Sequence, residues 1–261
     1  MINMKNIIQY MKPATLCAVL LMLLMASCAK DEYYIDGGKA DPKFNGTIMQ
    51  YLESDPRFDT IAQIVKLADM EEVLSNENVT FFVPTDEVIR RTIGEVNSPI
   101  IELRNRLNQE LFDQGRDTIK VLADVDPEIW KKYLSRYIFK GTYLLRDYPQ
   151  LDFALKALYP GSFYYTYNND LANIGVVYNS VNNVRYTGYR QLSISFIPDP
   201  SNPADYIAAA VATSDVQPTN GAVHVLALSL GGSKIGETES HIGANNFGFG
   251  TEFNRDVILS K

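Results

Sequence analysis

The chain is poor in the residues that most often carry chemistry. Among 261 residues there are two cysteines, Cys17 and Cys28, two histidines, His224 and His241, and a single tryptophan. Beyond Cys28 there is no thiol, so that part of the chain has no disulfide, thiolate nucleophile or Cys-based metal site. Positive charge is scarce too: 24 Lys and Arg stand against 31 Asp and Glu, a net charge of −7. A surface this acidic argues against nucleic acid or anionic lipid as a partner, because both select a basic face. Long apolar runs are missing. The run Ala14 to Met25 falls short of the roughly 20 residues that span a bilayer. There is no phosphate-cradling glycine loop, calcium loop or nucleophile elbow. His224 alternates with Val223 and Val225 and reads as a structural histidine; His241 has no second ligand at metal spacing. Adjacent acids such as Glu71 and Glu72 read as a solvated helix face. No catalytic residue, metal or cofactor is expected, and the chain is not expected to be an enzyme.

What is present begins at the N-terminus. Lys5 and Lys12 precede the apolar run, which ends in Met25-Ala26-Ser27-Cys28. Small residues before a cysteine let a signal peptidase approach the backbone, and this tetrapeptide resembles a lipobox. Residues 1–27 are expected to be a removable signal peptide, and Cys28 a lipid-attachment site. The alternative is an ordinary secretory signal in which Cys28 is incidental. Lys30, Asp31 and Glu32 are similar to the charged surface-export signal of Bacteroidetes lipoproteins, although a solvated tether looks the same. Residues 28–43, with Asp36-Gly37-Gly38, then read as a tether between a lipid in the outer membrane and a domain facing the cell surface.

From residue 44 the pattern is helical. Thr47 opens a helix with Ile48, Tyr51 and Leu52 on one face, and Asp59 is placed to cap a second with Ile61, Ile64 and Val65 inward. Val79 to Val83 is short, β-branched and aromatic, a buried strand. Pro84-Thr85-Asp86-Glu87 ends it and opens a helix that Thr85 is expected to cap. Residues 97–125 read as a helical insertion, with Ser98-Pro99 starting a helix through Ile100, Leu103, Leu107 and Leu111 and Gly115 closing it. Asp126-Pro127 starts another. Strands are expected at Ser162 to Tyr167, Ile174 to Tyr178, Val184 to Tyr189, Leu192 to Ile197, Ala208 to Thr213 and Ala222 to Leu230. Helices first and strands later predict an α+β domain.

Two segments carry a family resemblance. Val79 to Ile89, VTFFVPTDEVI, resembles the first signature of the fasciclin (FAS1) domain, and Ala210 to Leu230, AVATSDVQPTNGAVHVLALSL, resembles the second. The resemblance covers residues 44–232. It implies one FAS1-like domain, helices packed on a β-sheet or β-sandwich wedge, with Pro84, Thr85, Asp86, Asn220, Gly221 and His224 as structural motif residues. Asn220-Gly221 reads as a positive-φ turn. The chain departs from the family where Tyr-His is usual: Tyr137 is followed by Ile138. Residues 233–261 lie outside the resemblance and read as a tail, with Asn245 to Gly250 as an added edge strand or a mobile end.

Tyrosine is abundant, with 16 copies. Tyr164, Tyr165 and Tyr137 are the candidate binding residues, because tyrosine anchors protein interfaces and stacks on sugars. The resemblance implies adhesion or protein binding at the cell envelope; the alternative is a glycan-binding accessory of a polysaccharide-uptake system.

Overall fold

A computed structural model describes residues 41–204, 206–228, 234–235, 239–240 and 247–261, with backbone alone at 234–235 and 239–240. Cys28, Lys30, Asp31, Glu32, His241 and Asn245 lie outside the described residues. Asp41–Lys261 forms one compact unit.

The first helix, α1 (Ile48–Ser54), starts at a reciprocal cap. The Thr47 hydroxyl accepts from the Gln50 N–H, and the Gln50 side chain accepts from the Thr47 N–H. The helices α2 (Asp59–Leu67) and α3 (Glu71–Asn76) follow, and Ile61, Ile64, Val65 and Leu74 are buried. All of β1 (Val79–Val83) is buried. Then come α4 (Asp86–Ile93) and α5 (Leu107–Asp113).

The helix expected from Ile100 does not form there. Asn97 and Asn105 adopt positive φ, at 52° and 56°, and a left-handed residue ends helical propagation. Ser98 organises a turn instead, its hydroxyl donating to Glu95 and accepting from the Ile100 N–H. The α-helix of this stretch is α5, followed by a single 3₁₀ turn at Leu122–Asp124, and Gly115, at φ +67°, closes α5 as expected. Leu107, Leu111, Ile119 and Val125 still reach the main core, so residues 97–125 are an integral part of the packing.

Asp126 caps α6 (Pro127–Leu134) by accepting from the Glu128 N–H, with proline in the first turn. Strands β2 (Ile138–Lys140), β3 (Ser162–Tyr165), β4 (Leu171–Tyr178), β5 (Arg190–Ile197), β6 (Ile207–Val216) and β7 (Gly221–Leu226) join β1 in one sheet. Its order is β2-β1-β7-β6-β5-β4-β3. Only β1 and β7 pair in parallel, Val79 opposite Gly221. Register shifts between Val211 and Val216 bend β6, which lets the sheet roll into a nearly closed barrel. The architecture is α+β, with the helices packed on this sheet. Val184 to Tyr189 is not a strand: Asn182, Asn183 and Tyr186 have positive φ, and the segment turns between β4 and β5.

The C-terminal segment belongs to the core. Phe247, Phe249, Phe253 and Val257 are essentially fully buried in the main cluster, and α7 (Thr251–Ser260) makes up two thirds of the segment. Its rings pack on α6, with Trp130 5.0 Å and Tyr133 5.4 Å from Phe253. Residues 247–250 therefore act as neither an edge strand nor a loose end. Lys132 and Tyr133 both donate to Asp256, and Arg136, itself buried, pairs with Glu252 at 2.7 Å. Among the described residues no helix is long and apolar enough to cross a membrane.

Candidate functional site

The motif residues have structural tasks, some different from those expected. Thr85 precedes α4 but makes no side-chain capping bond. Asp86 caps a different helix: its carboxylate accepts from Thr60 N–H at 2.9 Å and Ile61 N–H at 3.1 Å. These are orphan donors at the start of α2, so Asp86 replaces Asp59, the cap expected from local sequence. Pro84 follows β1 and separates it from α4.

Asn220 and Gly221 have no positive φ. Asn220 works through its amide, accepting from Ile48 N–H and donating to Leu74 O and Glu77 O. It thus ties α1 and α3 to the head of β7. At Gly221 a Cβ would lie 1.9 Å from Val79 O, so glycine is required by the approach of β1.

His224 is fully buried, as a structural histidine should be. Its Nδ1 accepts from the Asp215 N–H at 3.2 Å, which leaves the proton on Nε2 to donate to Tyr143 O at 2.9 Å. Burial holds the ring below the usual histidine pKa and keeps it neutral. The Thr80 hydroxyl accepts from Tyr143 N–H and donates to Gly141 O. Residues 141–143, just after β2, are therefore clamped to β1 and β7.

Tyr137 is not a surface binding residue. It is fully buried, stacked on Phe249 and beside Phe247, and its hydroxyl accepts from Phe249 N–H at 3.1 Å. Burial raises its phenol well above the ordinary value. The C-terminal segment therefore covers Tyr137 itself.

Tyr164 and Tyr165 do meet at a surface cleft. It has a volume of about 260 Å³ and is lined by Lys140, Tyr143, Tyr164, Tyr165, Tyr167 and Asn169, with Phe139 and Thr166. Strand alternation turns the neighbouring rings to opposite sides. Tyr164 is half-buried against Tyr143 and Tyr148, at 5.9 and 5.5 Å, and burial raises its pKa. Tyr165 is 71% exposed. The Tyr167 hydroxyl donates to Glu77 at 2.9 Å, and the Lys140 ammonium lies 5.3 Å from the Tyr167 ring centroid. Partial burial, then the Glu77 bond, raises the Tyr167 pKa. Sequence reasoning missed Lys140, Tyr143 and Asn169; Tyr143 lies more than 20 positions from Tyr164, and no spacing signal joins them. The tyrosine-rich stretch splits in space, because Tyr186 contacts both Tyr159 and Tyr178 and bonds Asp152.

The cleft has no nucleophile–base pair. Among the described residues no group of three or more His, Cys, Asp or Glu is placed to hold a metal ion. Its aromatic walls, single ammonium and exposed ring suit recognition.

The model of the fasciclin domain family matches residues 56–230. A solved FAS1 domain pair from the insect cell adhesion molecule fasciclin I is similar at 21% identity with a TM-score of 0.41, covering 69% of this chain. The match covers 49% of that chain, so this chain spans about half the length of that structure. Among curated proteins nothing matches.

Proposed function

Because this chain belongs to the fasciclin domain family, we propose that it is a non-catalytic adhesion or protein-binding module held at the cell envelope by a lipid on Cys28. Lys30, Asp31 and Glu32, directly after the anchor, support export to the outer face of the outer membrane. The observation that carries the binding reading is the tyrosine cleft: a rigidly backed wall at Tyr143 and Tyr164, and a ring exposed at Tyr165. Tyrosines of this kind anchor protein interfaces at small entropic cost. The same exposed ring favours the second reading, a glycan stacked on Tyr165. The acidic balance of the chain, 31 Asp and Glu against 24 Lys and Arg, speaks against nucleic acid.

Two measurements test the proposal. Cells expressing the chain take up labelled palmitate into it, and Cys28→Ala abolishes the label; a labelled variant removes the anchor site. A photo-crosslinking amino acid at position 165 on intact cells captures envelope proteins, and Tyr165→Ala lowers retention of the same partners by about tenfold. Unchanged retention removes the cleft from the function, and capture of carbohydrate alone turns the reading to glycan.

A further inference from the structure

The cleft sits where the barrel fails to close. β2 and β3 are the two ends of the sheet order, and they approach each other at Tyr167 N–H, which donates to Ile138 O at 2.7 Å. Rung alternation shows what lies beyond that contact. Thr166 N–H donates to Asp170 O, so Thr166, Tyr164 and Ser162 use their backbone groups toward β4, and those of Tyr165 and Phe163 point away. Gly141 N–H donates to Asn78 O, so Phe139 faces β1 and Lys140 faces outward. In a closed barrel Lys140 and Tyr165 would form the next rung. Among the described residues no backbone hydrogen bond or bridge joins them, and the tyrosine cleft opens there.

We propose that this seam takes an extended peptide strand of a partner protein, paired to the outward N–H and C=O groups of Tyr165 and Phe163 and carrying an acidic side chain toward Lys140. This rests on the binding reading above and names the class of ligand. Two observations select it. Unpaired strand edges are templates for a further strand, which a sugar does not supply. Lys140 is the charged residue in the lining, and Phe163, half exposed beside Tyr165, extends the apolar contact along the strand.

The probe is a random octapeptide phage library panned on the purified full chain in detergent. The best binder is then synthesised with backbone N-methyl groups at alternate positions, in either of the two registers. Recovered peptides are expected to be extended and acid-bearing. Methylation in one register should weaken binding by about a hundredfold while the other register leaves it near the parent value, because only alternate amides pair with the edge. Tyr165→Pro, which deletes the outward N–H and leaves β3–β4 pairing intact, should bind about tenfold more weakly than Tyr165→Val, which keeps it. Lys140→Glu should select against acidic binders. Equal loss in both methylated registers, equal affinity of the proline and valine variants, or no peptide recovered would each overturn strand pairing. If cell-surface capture still depends on Tyr165 while strand pairing fails, the binding reading stands without this inference. If both are lost, the cleft is not the site.

Discussion

Asp86 illustrates how one carboxylate can serve a distant element. It lies at the start of α4 but holds the N–H groups of Thr60 and Ile61 at the head of α2. Both bonds are charge-assisted and at the positive end of a helix. Asp86→Ala should cost about 2 kcal/mol, the upper range for a lost cap, and Asp86→Asn appreciably less; urea denaturation reads both. Gly221 is a stricter position. Its missing Cβ makes room for Val79 O, which is backbone of the adjacent paired strand and cannot swing aside. Gly221→Ala should destabilise by about 3 kcal/mol through overpacking, whereas Gly115→Ala, with open space around its Cβ, carries only the cost of positive φ. Equal losses at the two glycines would sink this account of Gly221.

At the scale of elements, the segment from Phe247 through α7 has the largest effect for its length. It buries five apolar side chains, each worth about 1.5–3 kcal/mol, against a total stability of about 5–15 kcal/mol for an ordinary domain. It also supplies Glu252 to the buried Arg136 and Asp256 to Lys132 and Tyr133. Deletion from Phe247 onward should therefore abolish cooperative thermal unfolding and expose dye-binding apolar surface around Trp130. A deletion variant that melts sharply within a few degrees of the parent would refute the integration of this segment. The segment is only partly legible in the sequence: Phe249, Phe253 and Val257 recur at helical spacing, but the surface they fill around Trp130 and Tyr137 is assembled from distant elements. What was legible is local. The run Val79 to Val83 reads as strand in any context, and Asp126-Pro127 as a helix start. The expected helix from Ile100 failed for the complementary reason, since its apolar spacing was right and two left-handed asparagines overrode it. Of the site, Tyr164 and Tyr165 were visible as a dense aromatic pair. Their companions Lys140 and Tyr143 reach them only through the rolling of the sheet, and Tyr137 is hidden by the chain's own C-terminal segment, a contact 112 positions apart that no local pattern announces.

For the whole molecule, His224 couples stability to pH. It packs against Phe82 and Tyr148, with Asp215 3.9 Å from Nδ1, and burial lowers its pKa from the ordinary 6.5. Below 6.5 the unfolded chain takes up a proton that the folded one refuses, so stability falls as pH drops, by at most about 1.4 kcal/mol per unit. The depressed carboxylates act lower. Asp55 and Glu87 are lowered by their Arg57 and Arg90 hydrogen bonds; Asp256 is raised by burial but lowered further by the donors Lys132 and Tyr133. Their stabilisation is present above their ordinary values of 3.8 to 4.5 and is lost as pH falls beneath them. Urea midpoints between pH 7.5 and 5 should thus decline in the parent and stay nearly flat in His224→Gln, whose baseline is lower. Parallel slopes would rule out His224 as the source.

The parallel pairing of β1 with β7 also sets a clock. Chains are made at roughly 5–20 residues per second, so β1 exists for roughly 7 to 28 seconds before β7 is synthesised. Throughout that interval Val-Thr-Phe-Phe-Val is a short, uncharged, proline-free segment of high strand propensity without one of its two neighbours, the composition that seeds aggregation. The hazard is one of order of synthesis, and no contact in the finished fold reveals it. It begins to subside when Gly221 arrives and slides under Val79.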